Sequence, residues 1–282
     1  MVGTAWIYDH NAQQGSACGW NLEVHDAWPG WHRLAEQHGV SQVEKNKKLV
    51  YDHGGTDDKP PMFRVTVLFS ESNGKTTMDM TMKLATPEAA EQTRQVIRKH
   101  NGNSTWDRLG EFLEKHSTGK EAFIINRTFD APLELMFQMW TEEKHVARWT
   151  PPTGFEMRFI RCEIKPGGIS FYVMTGPNNM TMYGRANYLK IERPDLIVYT
   201  QQFCDENENL SRHPMAPTWP ETMLTTVKLT SEGADQTRVT VTWEPYGKFT
   251  AEELETFVKA RSGMTQGWTG SFEKLESYLV NQ

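Results

Sequence analysis

The chain states one pattern twice. Met62 to Leu113 and Met223 to Leu279 each run strand, turn, strand and then a long amphipathic helix. The first copy reads FRVTVLFSESNGKTTMDMTMKL before a helix closing on WDRLGEFL; the second reads LTTVKLTSEGADQTRVTVTWEP before a helix closing on FEKLESYL. Trp106, Leu109, Phe112 and Leu113 align with Phe272, Leu275, Tyr278 and Leu279. The period is much longer than the roughly 20–50 residues of a solenoid repeat. It predicts two tandem copies of one α+β domain, with a boundary between residues 117 and 118.

A chain of 282 residues can hold two such domains, and 38% apolar with 11% aromatic residues can build a core for each. No run of about 18 apolar residues exists and no basic stretch leads into an apolar one at the N-terminus, so no membrane partner is expected and the cytoplasm is the default location. Cys18, Cys162 and Cys204 lack the spacing of a zinc site or a disulfide framework and read as free thiols. A net charge of −6 without a basic cluster argues against nucleic acid.

The second copy is the better patterned. EAFIINRTFD, Glu121 to Asp130, has strand composition and stops at Ala131-Pro132, where proline suits the first turn of a short helix to Trp140. Thr141 opens a second short helix that Pro151 and Pro152 end. Phe155–Ile164, Ile169–Met174, Met180–Ile191 and Leu196–Cys204 read as an antiparallel meander, separated by glycine- and proline-rich turns. A loop from Asp205 to Pro220 leads to the last hairpin, where Met223, Thr225, Val227 and Leu229 share one face, as do Val239, Val241 and Trp243. Thr250 with Glu253 forms a capping box for a single long terminal helix. Its apolar stripe is Leu254, Phe257, Val258, Met264, Trp268, Phe272, Leu275 and Leu279. Gly263 and Gly267 lie inside this helix at a cost of roughly 1 kcal/mol each, so a close approach or a bend should require them.

A strand, two short helices, six strands and a long C-terminal helix is the helix-grip arrangement of the START and birch-pollen-allergen (SRPBCC) superfamily. RTFDAPLELMFQMWTEEKHVARW, the turn at Pro166, RPDLIVYT and GWTGSFEKLESYL resemble the activator-of-heat-shock-protein-90-ATPase-like family over Ala122 to Val280. The first copy resembles it from about Gln42 onward. The resemblance implies an antiparallel sheet wrapped on a long C-terminal helix, in tandem with an incomplete N-terminal copy. It also implies a cavity between helix and sheet for a small molecule, co-chaperone-like binding to a heat-shock ATPase in the stress response, or, from the wider superfamily, cyclase or hydratase chemistry on a polyketide-type substrate.

The opening of the first copy is anomalous. Met1 to Val40 shows no strand or helix pattern, yet it holds four of ten tryptophans and four of nine histidines. Aligning Tyr51 with Tyr199 sets an offset of 148, with Val43 on Ile191 and Glu44 on Glu192. Reading the implied codons one base forward forces Trp at position 1 and Gly at positions 6, 20, 28 and 31; at that offset stand Trp149, Gly154, Gly168, Gly176 and Asn179, so four of five agree. Residues 1–40 are therefore expected to be an out-of-frame version of the first copy's middle strands. The alternative is a diverged N-terminus. As it stands the first copy is expected to lack its opening strand and both short helices, so its helix from Pro87 to His116 has no complete sheet to grip and the opening forty residues should pack poorly.

Chemistry-bearing motifs are sparse. The spacing of His10, His25, His32 and His38 fits no common metal-ligand motif, and no cofactor or metal is expected. GxSxG, HExxH and P-loop signatures are absent, which disfavours an enzyme. The expected partner is a small apolar or aromatic molecule, with a chaperone as the second candidate. Trp140, Phe159, Phe171, Tyr199, Met223, Trp243, Met264 and Trp268 are expected between helix and sheet, about half of them touching the cavity. Tyr199 and Trp243 would bring polar tips into its wall. Arg148, beside Trp149, could hold an anionic group at the mouth or be a surface arginine. Arg261, on the apolar stripe, should find Glu244 or an acidic ligand, or snorkel to the helix edge. His145 and His213 have no visible carboxylate or nucleophile partner in the sequence; either could serve as a general base, and the surface is the expected place for both.

Overall fold

The computed structural model of the protein describes residues 5–7, 40–54, 59–72, 74–99 and 105–281. The chain divides into two compact units, Met1–His100 and Asn101–Gln282.

The first unit is a five-stranded antiparallel sheet of β1 (Ala5–Ile7), β2 (Val40–Glu44), β3 (Lys48–His53), β4 (Phe63–Ser72) and β5 (Lys75–Leu84), in the order β1-β5-β4-β3-β2. The period-2 pattern of β4 puts Val65 and Val67 inside, and the hairpin to β5 closes at Gly74, whose φ of 71° suits a residue without a Cβ. Helix α1 (Pro87–Lys99) follows, with proline in its first turn and the Thr86 hydroxyl accepting the Ala89 N–H at 3.2 Å.

Two expectations for this unit change. Ala5–Ile7 does form a strand, paired with Met78–Met80 of β5. Three residues are too few to show a period, and the pairing runs through backbone groups alone. The rest of the out-of-frame reading, the four N-terminal histidines and Cys18 lie outside the described residues. The expected helix from Pro87 to His116 is two helices, α1 and α2 (Thr105–Thr118), and α2 belongs to the second unit. It buries Asp107 and Glu111 rather than the repeated apolar positions, and Phe112 stands exposed. Glu111 accepts the Ile124 backbone N–H at 3.0 Å, Asp107 accepts from Asn126 Nδ2, and Gly110 lets the Ile124 side chain come close. Side-chain carboxylates here satisfy donors on the first strand of the second sheet, a contact that apolar periodicity does not encode.

That sheet comprises β6 (Phe123–Phe129), β7 (Glu156–Arg161), β8 (Ile169–Thr175), β9 (Thr181–Glu192), β10 (Leu196–Cys204), β11 (Met223–Ser231) and β12 (Thr237–Pro245). Its order is β6-β12-β11-β10-β9-β8-β7, antiparallel throughout. The first sheet repeats part of this order: β1, β5, β4, β3 and β2 occupy the places of β6, β12, β11, β10 and β9. This correspondence gives the tandem doubling a structural form. Between β6 and β7 come α3 (Leu133–Thr141) and α4 (Glu143–Trp149).

After β12, the Thr250 hydroxyl accepts the Glu253 N–H at 3.1 Å while Glu253 accepts the Thr250 N–H at 2.7 Å, completing the expected capping box. The terminal helix is two segments, α5 (Ala251–Lys259) and α6 (Arg261–Leu279), parted at Ala260, where φ is −79° and ψ is −2°. Phe257, Met264, Phe272 and Leu275 turn onto Phe123, Ile125, Val227, Leu229, Val239 and Val241 of the sheet. This α+β helix-grip architecture leaves the grip incompletely filled around α6.

Candidate functional site

A cavity of about 400 Å³ lies in the second unit, bounded by α6, α3, α4 and the inward faces of β7 to β12. Two features of α6 hold it open. Gly263 and Gly267 are four residues apart on one helix face and line it, and a Cβ built on either meets no atom within 4 Å. Gly270, one turn on, is there for the opposite reason: a Cβ would come within 2.6 Å of Thr153 Oγ1.

The walls are aromatic. Trp140 from α3 lies edge-on to Trp149 with ring centroids 4.5 Å apart and near-parallel to Trp268 at 6.2 Å; Trp243 meets Trp268 edge-on at 5.9 Å. Tyr188 and Tyr199, on neighbouring strands, are 5.6 Å apart. Gly184 gives Tyr172 its space, since a Cβ there would sit 2.6 Å from the phenol oxygen. Burial pushes the Tyr172 phenol up to about 12 despite a bond to Gln201, and raises Tyr188 and Tyr199 as well. Burial thus favours the neutral form of all three phenols near neutral pH.

Most polar atoms of the wall are already engaged. Trp243 Nε1 donates to Thr225 Oγ1 at 2.6 Å and lies 3.0 Å from Gln201 Oε1, which also accepts from Thr225 at 2.9 Å. Trp149 Nε1 donates to the Met139 carbonyl at 2.9 Å. Trp140 Nε1 is sealed within the wall and meets no acceptor among the described residues. At the rim, the Met215 N–H donates to His213 Nδ1 at 3.1 Å, which puts the proton of the neutral ring on Nε2. Burial holds this imidazole below its ordinary value.

Seven of the eleven residues expected at the site line the cavity: Trp140, Phe159, Tyr199, Met223, Trp243, Met264 and Trp268. Arg148 is exposed and does not line it. Trp149 is core, wholly buried behind Trp140. Phe171 is buried against Tyr183, and its neighbour Tyr172, on the other face of β8, takes the cavity position. The register Phe159↔Tyr172 sets this parity, and the irregularity between Phe159 and Arg161 hides it from sequence alignment of the two strands. Arg261 donates to Glu121 Oε2 at 2.9 Å and the Ala122 carbonyl at 2.7 Å, while Glu244 pairs with Lys120 at 3.2 Å. Neither histidine is a surface residue: His145 is buried with Nδ1 2.9 Å from the Tyr278 hydroxyl, and His213 lines the cavity.

Tyr172, Tyr188, Gln201 and Trp219 also line the cavity, beyond the residues the sequence pattern points to. Tyr172 was legible by counting back two from Met174, another lining residue. Trp219 sits in the loop before β11, where no period exists to place it. Among the described residues no group of three or more His, Cys, Asp or Glu side chains is placed to hold a metal, and no helix is long and apolar enough to cross a membrane.

Comparison with known proteins gives a consistent picture. The sequence model of the Activator of Hsp90 ATPase homolog 1-like protein family matches residues 2–114 and 130–280. The first match takes in nearly all of the stretch read above as out of frame. No curated protein matches the chain. Among solved structures, a protein from Arthrobacter aurescens is 26% identical with a TM-score of 0.49, covering 57% of this chain and 87% of its own. A Mycobacterium smegmatis protein is 21% identical with a TM-score of 0.48, covering 58% and 94%. The AHSA1 protein of Silicibacter pomeroyi is 15% identical with a TM-score of 0.44, covering 56% and 97%.

Proposed function

The chain belongs to the Activator of Hsp90 ATPase homolog 1-like family, and from that premise we propose that its second unit binds a small apolar or aromatic molecule in the cavity between α6 and the sheet. The observation that carries this reading is the pair Gly263 and Gly267. Each weakens the helix by roughly 1 kcal/mol relative to alanine, and neither is needed for a close approach, because nothing lies within 4 Å of either Cβ position. What they provide is room inside an aromatic wall. Volume and lining suit a ligand of two or three fused rings. The co-chaperone reading draws on family membership alone, whereas ligand binding also accounts for the cavity and the glycines.

Native mass spectrometry of the purified protein tests the reading by looking for a co-purifying small molecule, together with thermal shifts across an aromatic and lipid library. A bound mass or a reproducible rise in Tm is expected, since a ligand selective for the folded state stabilises it in proportion to its affinity and concentration. A ligand-free protein whose Tm no library member moves would overturn it.

A further inference from the structure

We propose that the ligand of this cavity carries a flexible aliphatic chain on its ring system, and that Met157, Met174 and Met182 receive that chain. The inference rests on the reading of the cavity as a binding site and names the shape of what it takes.

The three methionines form one row. Met157 on β7 stands opposite Met174 on β8, and Met174 stands opposite Met182 on β9; all three line the cavity. Side chains directly opposite on neighbouring strands share a face and meet. Strand positions ordinarily favour β-branched and aromatic residues, which pack well on a pleated surface but are stiff. Three consecutive strands carry instead the unbranched, three-bond side chain that adapts to irregular space. None of the three is packed away: each is half-buried, whereas Met223 and Met264, which line the cavity elsewhere, are 3% and 7% exposed. Thr150 Oγ1 lies 3.9 Å from Met157 Sδ, and the charged lining residue, Glu221, belongs to the segment before β11. This end of the cavity is adaptable and uncharged.

The indole rings come from other elements. Trp140 stands on α3, Trp219 before β11, Trp243 on β12 and Trp268 on α6, and no tryptophan of the cavity comes from β7, β8 or β9. Met174 on β8 and Trp243 on β12 are four strands apart in the sheet. Neighbouring strands lie about 4.8 Å from one another, which separates the two positions by about 19 Å measured along the sheet. Three fused rings reach across about two strand spacings. A rigid tricycle held at Trp243 and Trp268 therefore leaves the methionine row uncovered, and a chain of several methylenes extends to it. Burying each methylene there raises affinity about fourfold.

The test uses the full chain with fluorene and 2-butylfluorene, which share a flat tricycle and differ by an alkyl chain. Fluorescence titration of wild type is expected to show butylfluorene bound at least about tenfold more tightly than fluorene, and Met174→Trp, which fills the row, to cut that ratio to about twofold or less. In wild type labelled with [methyl-¹³C]methionine, the assigned methyl resonances of Met157, Met174 and Met182 are expected to move more on adding butylfluorene than on adding fluorene, a readout that stands even where the variant does not fold. Equal affinities in wild type, a ratio that Met174→Trp leaves unchanged, or row methyls that move as much with fluorene as with butylfluorene overturn the inference and leave cavity binding intact. Failure of both compounds to bind removes the binding reading at this site and the inference with it.

Discussion

Arg261 at the start of α6 donates to Glu121 Oε2 at 2.9 Å and so ties the terminal helix to the residues leading into β6, 140 positions earlier in the chain. The Lys115 hydrogen bond, with Arg261 adding to it, holds the Glu121 carboxyl below its ordinary value of 4.5 against the opposing effect of burial. Replacing Arg261 with alanine leaves a largely buried carboxylate with Lys115 alone and strips two donors from the site. A loss of about 1–2 kcal/mol is expected in urea unfolding. Because the folded-state value is lowered, the Glu121 contribution is full above pH 4.5 and fades as pH falls through the folded value; the variant should show a shallower loss in that acid range. An unchanged midpoint would show that the pair contributes nothing.

His145 sets a second pH dependence in a higher window. Burial, followed by Lys144, lowers its value from 6.5, while Glu142 opposes them. The folded state therefore resists protonation, and stability present above pH 6.5 declines as pH falls toward the folded value. His145→Gln should flatten the slope of unfolding free energy between pH 7.5 and 5.5. His213, shifted in the same direction, leaves a residual slope. A variant with the wild-type slope would exclude His145 as a source.

Filling the cavity separates stability from binding. Gly267→Ala should raise stability by up to about 1 kcal/mol, because it removes the helix penalty and meets no atom within 4 Å. Gly267→Leu should fold comparably but bind fluorene at least about tenfold more weakly, as measured by fluorescence titration, since its side chain occupies ligand volume. Unaltered binding in the leucine variant would place the ligand elsewhere.

Gly184→Ala makes the opposite prediction on the same wall. Its Cβ would sit 2.6 Å from both Cζ and the oxygen of the half-buried Tyr172 ring, so a loss of about 1–3 kcal/mol is expected. Combining it with Tyr172→Leu should recover part of that loss in a double-mutant cycle. Additive effects would show that the two positions do not compete for space.

Thr225→Val tests the polar strip under the aromatic wall. It removes the 2.6 Å acceptor of Trp243 and the donor to Gln201 at a fully buried position. A cost of about 1–3 kcal/mol in thermal or urea unfolding is expected. A neutral outcome would mean that Gln201 alone satisfies the indole.

The strands and faces that read clearly in the sequence are those whose hydrophobic period is long and unbroken. Met223, Val227, Leu229, Val239 and Val241 are buried as the alternation of β11 and β12 requires, and the capping box at Thr250 marks the helix start. The pattern does not extend to places where a local irregularity changes parity or where partners come from distant segments. Phe171 and Tyr172 exchanged roles because of the irregular β7–β8 register. Trp149 and Trp140 carry the same composition signal, yet one is sealed behind the other. The apolar stripe shared by α2 and α6 is buried in α6 alone, because α2 docks through Asp107, Gly110 and Glu111.

The sequence by itself determined the doubling, the α+β helix-grip class of the second unit and the identity of the aromatic residues available to a cavity, since these follow from local period, turn chemistry and repetition along the chain. Only the tertiary structure decided which aromatics face the ligand space, that Arg261 is paired with Glu121, and that Gly263 and Gly267 open a volume rather than a contact. Those outcomes depend on which atoms from remote segments arrive at the same place, and on where none arrive; no periodicity in a single chain records either.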